Sequence, residues 1–417
     1  MTIRHPELSV RPLRAEEWDT WYRTVEVAFG GDQESPQERE LWRRLIGVER
    51  TLAVWSDGQL VGGGGSFDFR LVVPGGAVVP AAGVAAVGVL PTHRRRGALT
   101  ALMRGQLDGV RAAGEPLAVL TASEPVIYGR FGYGPATRKA AVSMLRGRVR
   151  VHTPERDGGV VLRLADPVAE LPRCEELYAR LATARPGTLL RRPGWEAVPV
   201  LDVPSGRGGF SPLQCVLAED PGSGELLGYA RYAVKSEWTD RGAAGVVRVR
   251  VVQAGRPWVA ARLWEFLLDL DLTERVEADN LPVDDALLHL VSDVRHLLPR
   301  IVDGMYLRLV DLPAALEARG YPAAVDVVLG VTDAFCPWNA GRWRLTAAPG
   351  GPVSCVRTGD PAELELDVRE LASVYLGGGS LAALAAAGLV RELRPGTLGP
   401  ASAAFRSDLE PWLPHGF

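Results

Sequence analysis

The sequence predicts an α+β protein built as two mixed-sheet domains in tandem with a third α+β domain behind them. Three observations carry that reading. Helical apolar spacing is followed by antiparallel strands and then a strand-loop-helix-strand run; much of that order returns 162 positions later; and after about residue 300 the texture changes to shorter strands and helices. The length of 417 residues is too great for one ordinary core, and about 150 residues per domain gives roughly three. The expected bounds are 1–150, 151–300 and 301–417.

Trp18, Trp21, Tyr22, Val25 and Phe29 recur at helical spacing, and a second helix is expected over 37–46. Residues 51–55 read as a strand, Asp57-Gly58 as a tight hairpin turn, and 59–73 as a longer strand that ends at Pro74-Gly75-Gly76. Another strand over 83–90 stops at Pro91. After the basic loop His93-Arg94-Arg95-Arg96-Gly97, Leu99, Leu102, Met103 and Leu107 mark one helical face, and 117–120 is a further strand.

The repeat sets Ala81-Ala82-Gly83-Val84 against Ala243-Ala244-Gly245-Val246, Val87 against Val249, Arg94 against Arg256 and Ala98 against Ala260. A hairpin through Pro221-Gly222-Ser223-Gly224 precedes the second copy, and a helix carrying Leu263, Trp264, Leu267 and Leu270 follows it. At this offset Arg95, Arg96 and Gly97 are replaced by Pro257, Trp258 and Val259, so the second loop lacks the Arg-Arg-Gly run. The third unit reads as a helix over 313–319, strands over 326–331, 342–345 and 364–367, and helices over 368–375 and 380–387.

Composition excludes several function classes. With 47% hydrophobic and 23% charged residues the chain matches a soluble globular protein, and a net charge of -3 leaves no broad electrostatic footprint for nucleic acid or an anionic membrane. Lysine occurs only at 139 and 235, so almost all positive charge is arginine, suited to bidentate phosphate and carboxylate contacts. Cys174, Cys215, Cys336 and Cys355 form no C-x-x-C pair, and the histidines show no metal spacing, so neither a metal nor a disulfide framework is expected. A reducing cytoplasm fits. The amino terminus lacks the apolar core of a signal peptide, and the small-apolar stretch around 381–390 is too short to span a bilayer.

The sharpest local feature runs from Val87-Gly88-Val89 through the basic loop to Ala98-Leu99. A strand ending in a basic, glycine-containing loop that opens a helix directs unpaired N–H groups and a positive helix end at one point, where a diphosphate is stabilised. Gly97 allows close backbone approach, and the arginines add charge-assisted bonds. The string is neither a Walker loop nor a dinucleotide fingerprint; read as a loop alone, it is a solvated basic turn. The second feature, residues 121–135, holds three glycines and two prolines beside a strand end, and its Tyr128 emerges near the end of the loop-bearing strand. Its phenol could serve as an acid; by itself a tyrosine is more often a packed amphipathic side chain.

These segments resemble the Gcn5-related N-acetyltransferases, whose pyrophosphate loop reads Arg/Gln-x-x-Gly-x-Gly/Ala. Arg94 and Gly97 match, whereas Leu99 departs from the usual small residue. More narrowly, "PTHRRRG" and "IYGRFGYGPAT" are similar to the enhanced intracellular survival (Eis) acetyltransferases of actinobacteria, and "LPAALEARGY" and "YLGG" to their carboxy-terminal domain. The resemblance implies an active acetyltransferase domain, a degenerate acetyltransferase-like domain and a sterol-carrier-like domain, assembled as a homohexamer. It implies acetyl-CoA contacts at Val87, Gly88, Val89, Arg95, Arg96, Gly97, Ala98, Leu99, Thr100, Ser123 and Glu124, a general acid at Tyr128, and a catalytic terminal carboxylate at Phe417.

A phenol with a free pKa near about 10 stays protonated at neutral pH and can supply a departing thiolate. A terminal carboxylate of pKa about 3.3 to 3.7 is a feeble base, better suited to orienting an ammonium group and relaying its proton through water. The resemblance also implies amine acceptors, aminoglycosides among them, with Phe29, Asp32, Trp42 and Trp195 at pocket positions. The family's penultimate acid is Gly416 here and an aromatic before the Val87 position is Ala86, so less negative charge and a reshaped pocket are expected. The other class of reading is a non-catalytic protein that binds acetyl-CoA or a lipid on the same scaffold.

Overall fold

The structure, a computed structural model, describes residues 8–31, 34–154 and 159–417. The chain forms two compact units: Met1–Ala136 with Met305–Asp408 and Phe417, and Thr137–Gly304 with Leu409–Gly416. Neither is a single continuous stretch of chain.

In the first unit, β1 (Leu8–Pro12), β2 (Thr51–Ser56), β3 (Gln59–Val72), β4 (Val78–Val89) and β5 (Leu117–Thr121) lie side by side, followed by the strand Met305–Leu309 and the short β6 (Gly134–Pro135). The neighbours are antiparallel except β4 and β5. Strand β1, whose Leu8-Ser9-Val10-Arg11 alternates over only four residues, lies outside the elements expected from the sequence, and β4 starts five residues before the predicted 83 because Val78–Ala82 continue the hairpin out of the Pro74-Gly75-Gly76 turn. Met305–Leu309 is buried throughout and pairs with β5 from far along the chain. Local periodicity carries no information on such a partner.

Helices α1 (Trp18–Ala28), α2 (Pro36–Ile46) and α3 (Ala98–Ala112) flank this sheet. Helix α2 starts with a capping box: Glu38 N–H donates to Ser35 Oγ (3.2 Å) and Ser35 N–H to the Glu38 carboxylate (2.8 Å), with Pro36 in the first turn. Helix α1 approaches β3 closely because β3 carries the run Gly62–Gly65. Trp21 is fully buried and its Nε1 donates to Leu52 O at 3.1 Å; a Cβ on Gly63 would lie 2.0 Å from that nitrogen. Helix α3 buries Leu102, Met103 and Leu107, the face that its periodicity predicts.

The first unit also holds a second sheet of five strands in the order Val353–Arg357, Gly341–Ala347, Val325–Thr332, Leu364–Asp367, Val390–Glu392, with helices Leu312–Ala318, Val368–Tyr375, Leu381–Ala386 and Leu398–Ala404. It is joined to the first sheet through a buried ion pair. Arg308 Nη2 reaches both oxygens of Asp333 (2.8 and 2.6 Å), with the side chains 0% and 1% exposed. The carboxylate also accepts from Cys336 N–H (2.8 Å) and Asn339 Nδ2 (3.1 Å), which offsets the cost of its burial.

The second unit is a seven-stranded sheet ordered Arg300–Asp303, Arg138–Leu145, Thr273–Leu281, Gly245–Ala254, Leu226–Lys235, Gln214–Glu219, Val161–Ala165. Its one parallel pair, Gly245–Ala254 with Thr273–Leu281, is the counterpart of β4 with β5, and the helix Pro257–Leu268 matches α3. The repeat is therefore real, but the constant offset of 162 fails after the strand. Pro257, Trp258 and Val259 are not loop residues; they form the first turn of the helix, and only Gly255 and Arg256 connect it to the strand, against residues 90–97 in the first unit. The second copy has lost the loop itself, not merely its arginines.

The corresponding cleft of the second unit is narrowed to about 300 Å³, and Asn280 and Trp412 are among its walls. The segment Leu409–Gly416 is strapped there: Trp412 Nε1 donates to Asn280 Oδ1 (3.2 Å), Asn280 Nδ2 donates to Leu413 O and Pro414 O (3.1 Å each), and Arg185 Nη1 bridges Asp284 and Glu410 O (2.6 Å each). His415 stacks on Trp195 at 5.8 Å.

Two stability predictions follow from these contacts. Asp333→Ala should strand the Arg308 guanidinium and cost about 3–5 kcal/mol, read by denaturant unfolding. Burial first, then the Arg191 cation, holds the His415 imidazole down to about 4. The unfolded chain takes up that proton below about pH 6.5 while the folded chain does not, so stability should fall as pH drops from about 6.5 to about 4, and His415→Gln should flatten that dependence.

Candidate functional site

The parallel register of β4 and β5 covers only Ala81–Gly83 against Leu117–Val119; beyond Gly83 the strands part, and β4 continues to Val89. On its other edge β4 carries a bulge. Gly65 pairs with Ala85 and Gly63 with Gly88, so Ala86 and Val87 oppose only Gly64, and Ala86 sits at φ +54°. The bulge turns the strand at the mouth of the gap. A cleft of about 870 Å³ opens between the diverging strands, floored by Val84–Val89, closed at one end by the loop before α3 and at the other by residues 121–130 and Phe417.

The loop is set by two positive φ angles, +61° at Arg95 and +87° at Gly97, the latter being the N-cap of α3. Gly97 thus turns the chain so that the first helical residues Ala98, Leu99 and Thr100 reach the cleft with the unpaired N–H groups of a helix start. Arg94 holds this shape. Its Nε donates to Val89 O (3.2 Å) and its Nη2 to Ala28 O (3.1 Å), tying the loop to the ends of β4 and α1. The first arginine of the motif therefore braces the loop while also lining the cleft. Gly88 lets α1 come close, since a Cβ there would lie 2.8 Å from the Ala28 Cβ.

Of the residues expected to hold acetyl-CoA, Val87, Gly88, Val89, Arg95, Gly97, Ala98, Leu99, Thr100, Ser123 and Glu124 line this cleft. Arg96 is exposed and is not among the lining residues. Tyr128 lies in the 3₁₀ segment Pro125–Phe131, lines the cleft, and meets Tyr133 edge-on at 5.9 Å. Burial, reinforced by the Glu124 carboxylate, pushes its phenol above the ordinary value, which keeps the proton on Oη.

Phe417 also lines the cleft. Its main-chain oxygen accepts from Thr121 Oγ1 at 3.2 Å, and its ring stands edge-on to Phe69 (4.8 Å) and Phe67 (6.2 Å). Neither phenylalanine nor Thr121 was singled out from the sequence; the alternation Phe67-Asp68-Phe69, which puts both rings on one face of β3, was the available signal.

The residues expected for the acceptor are dispersed. Phe29 lines the cleft and is 58% exposed. Trp42 does not line it; it packs against Phe67 with centroids 6.1 Å apart, drawn there by the apolar face of α2. Trp195 is buried in the second unit against His415. Asp32 lies outside the described residues. Among the described residues no group of three or more His, Cys, Asp or Glu is arranged to hold a metal ion, and no helix is long and apolar enough to cross a membrane.

Comparison with known proteins finds three domain matches along the chain. Residues 9–136 match an acetyltransferase (GNAT) domain model, residues 187–309 a second acetyltransferase (GNAT) domain model, and residues 312–414 a sterol carrier protein domain. The chain is 54% identical to a protein of Streptomyces avermitilis described as an uncharacterized N-acetyltransferase, covering 98% of this chain and 99% of that one. It is 35% identical to the N-acetyltransferase Eis of Mycobacterium tuberculosis, over 94% of this chain and 96% of that one. The crystal structure of Eis1 from Mycobacterium abscessus superposes with a TM-score of 0.82 at 34% identity, covering 99% and 100% of the two chains.

Arg94→Ala should release the turn at 95–97. The expected result is faster amide exchange at residues 93–97 and a global loss of about 1 kcal/mol, with the rest of the exchange map unchanged.

Proposed function

The chain belongs to the Eis family of N-acetyltransferases, and from that premise we propose that its first-unit cleft transfers an acetyl group from acetyl-CoA to an amine, with Tyr128 as general acid and the Phe417 carboxylate facing the acceptor. GNAT acetyltransferases use acetyl-CoA. The observation that carries the reading is the convergence of three groups on one cleft: the N-terminal turn of α3 behind Arg95 and Gly97, the phenol of Tyr128, and the terminal carboxylate.

The residues present suit that cosubstrate. A helix start, a glycine in the left-handed region and Arg95 make a receptor for a diphosphate linker, while Val87–Val89 at the bulge offer main-chain polar groups beside it. Acetyl-CoA supplies the activated acetyl group and a thiolate that needs a proton as it leaves. Tyr128 Oη, held protonated by burial, is the donor. The carboxylate of Phe417 orients the acceptor ammonium by charge and passes its proton to water; its basicity alone is too low for direct abstraction.

The acceptor is an amine. Aminoglycosides remain within the proposal as substrates, and Gly416 and Ala86, where the resemblance leads one to expect an acid and an aromatic, favour acceptors that demand less negative charge and less stacking. The four cysteines are buried and unpaired, which supports a reducing cytoplasm as the site of action. A homohexamer is part of the same proposal, and native mass measurement reads it.

Incubation with acetyl-CoA and a panel of amines, with products read by mass, tests the reaction. Tyr128→Phe should lower kcat by roughly 10²-fold with little change in acetyl-CoA affinity; equal rates in both proteins would remove Tyr128 from the mechanism. A residue appended after Phe417 should abolish turnover. Because the phenol is raised above its usual value, the alkaline limb of kcat assigned to this acid should lie above about pH 10 and be missing from Tyr128→Phe.

A further inference from the structure

Resting on the reading that the terminal carboxylate acts in the cleft, we infer that the ring of Phe417 is the element that positions it, seated on Phe69 and Phe67. A chain end ordinarily frays, and a carboxylate held only by itself would sample many orientations. Here the carboxylate accepts from the Thr121 hydroxyl (3.2 Å) on β5, while the ring, joined to it through Cα and Cβ, is gripped edge-on by Phe69 at 4.8 Å and Phe67 at 6.2 Å on β3. Edge-on aromatic pairs add directional attraction to simple burial, so the ring fixes a direction as well as a place.

The seat is built into the sheet. Phe67 and Phe69 are 1% and 2% exposed, stand on the same face of β3, and touch one another at 5.5 Å. The Phe69 ring occupies the space that a side chain at position 83 would fill: a Cβ on Gly83 would lie 2.1 and 2.3 Å from its ring carbons. Trp42 backs Phe67 from α2. Gly83 is the last residue of β4 in parallel register with β5, so the slot that admits Phe69 opens at the point where the strands part and the cleft begins. Phe69 and Phe67 are positioning residues: they act through Phe417 and have no role in the chemistry of their own.

The inference separates two properties of the last residue, its carboxylate and its ring. Phe417→Ala keeps a carboxylate at the same place in the chain and removes the ring. It should lower kcat at least tenfold, with acetyl-CoA affinity changed less than twofold. Deleting Phe417 makes a chemical test that does not depend on refolding a core variant. Millimolar 3-phenylpropionate, which has the ring-to-carboxylate spacing of phenylalanine, should restore turnover several-fold, and propionate should not.

Equal rescue by propionate, or wild-type kcat in Phe417→Ala, would overturn the positioning role. The carboxylate reading is judged separately. If the residue appended after Phe417 leaves turnover intact, that reading fails first and takes this inference with it; if appending abolishes turnover while Phe417→Ala is fully active, only the ring's role is lost.

Discussion

The parallel pairing of β4 with β5 extends over three residue pairs and then ends, and the cleft is the consequence of that ending. Two strands that stayed in register would leave no gap between them. The bulge at Ala86 and Val87 keeps β4 attached to β3 while its course changes, so the sheet stays intact on one side as it opens on the other. Most of what reaches the cleft is hung from β4 and β5. The basic loop and α3 follow the end of β4, the Tyr128 turn follows the end of β5, and the seat of Phe417 lies on β3 and the last residue of β5.

The second unit repeats the strand-helix-strand plan and shows what happens when the loop is removed. With only Gly255 and Arg256 between strand and helix, the helix begins at Pro257 and no basic turn remains. Asn280, at the end of the strand equivalent to β5, has turned to holding the main chain of Leu413 and Pro414. The duplication preserved the fold because the core of sheet and helix is the same packing problem in both units, with Val259, Leu263, Trp264 and Leu267 buried against the sheet. The ligand-facing loop carries no such packing load, so it could shrink without cost to the core.

In the proposed reaction the first-unit cleft works by placing weak groups well. A tyrosine is a poor acid and a terminal carboxylate a poor base in water. Burial of Tyr128 next to Glu124 raises the first further, which makes it a reliable proton holder across the whole physiological range. In that proposal the carboxylate works by orientation, through Thr121 and the aromatic seat, and orientation is a larger lever on rate than a small change in basicity. Arg94 belongs to this scheme as a brace: its charge is spent on two main-chain carbonyls that fix the loop.

Short-range pattern was enough for a good deal. The Asp57-Gly58 hairpin, the buried face of α3, several helices and strands between residues 312 and 387, the tandem plan and the Tyr128 turn are legible along the chain, because turn chemistry and apolar spacing are properties of neighbouring residues; Val353–Arg357, Val390–Glu392 and Leu398–Ala404 are not. So was the position of the phosphate-type loop, as a glycine and arginines between a strand and a helix can be recognised without knowing their surroundings. Partners distant along the chain were not legible. That Met305–Leu309 joins the first sheet, that Arg94 faces carbonyls, that Trp42 backs Phe67 and Trp195 faces His415, and that Phe69 fills the space Gly83 leaves are results of folding in three dimensions. Spacing marks a side chain as buried; only the packed structure determines what it is buried against, because that partner arrives from a part of the chain with no local relation to it.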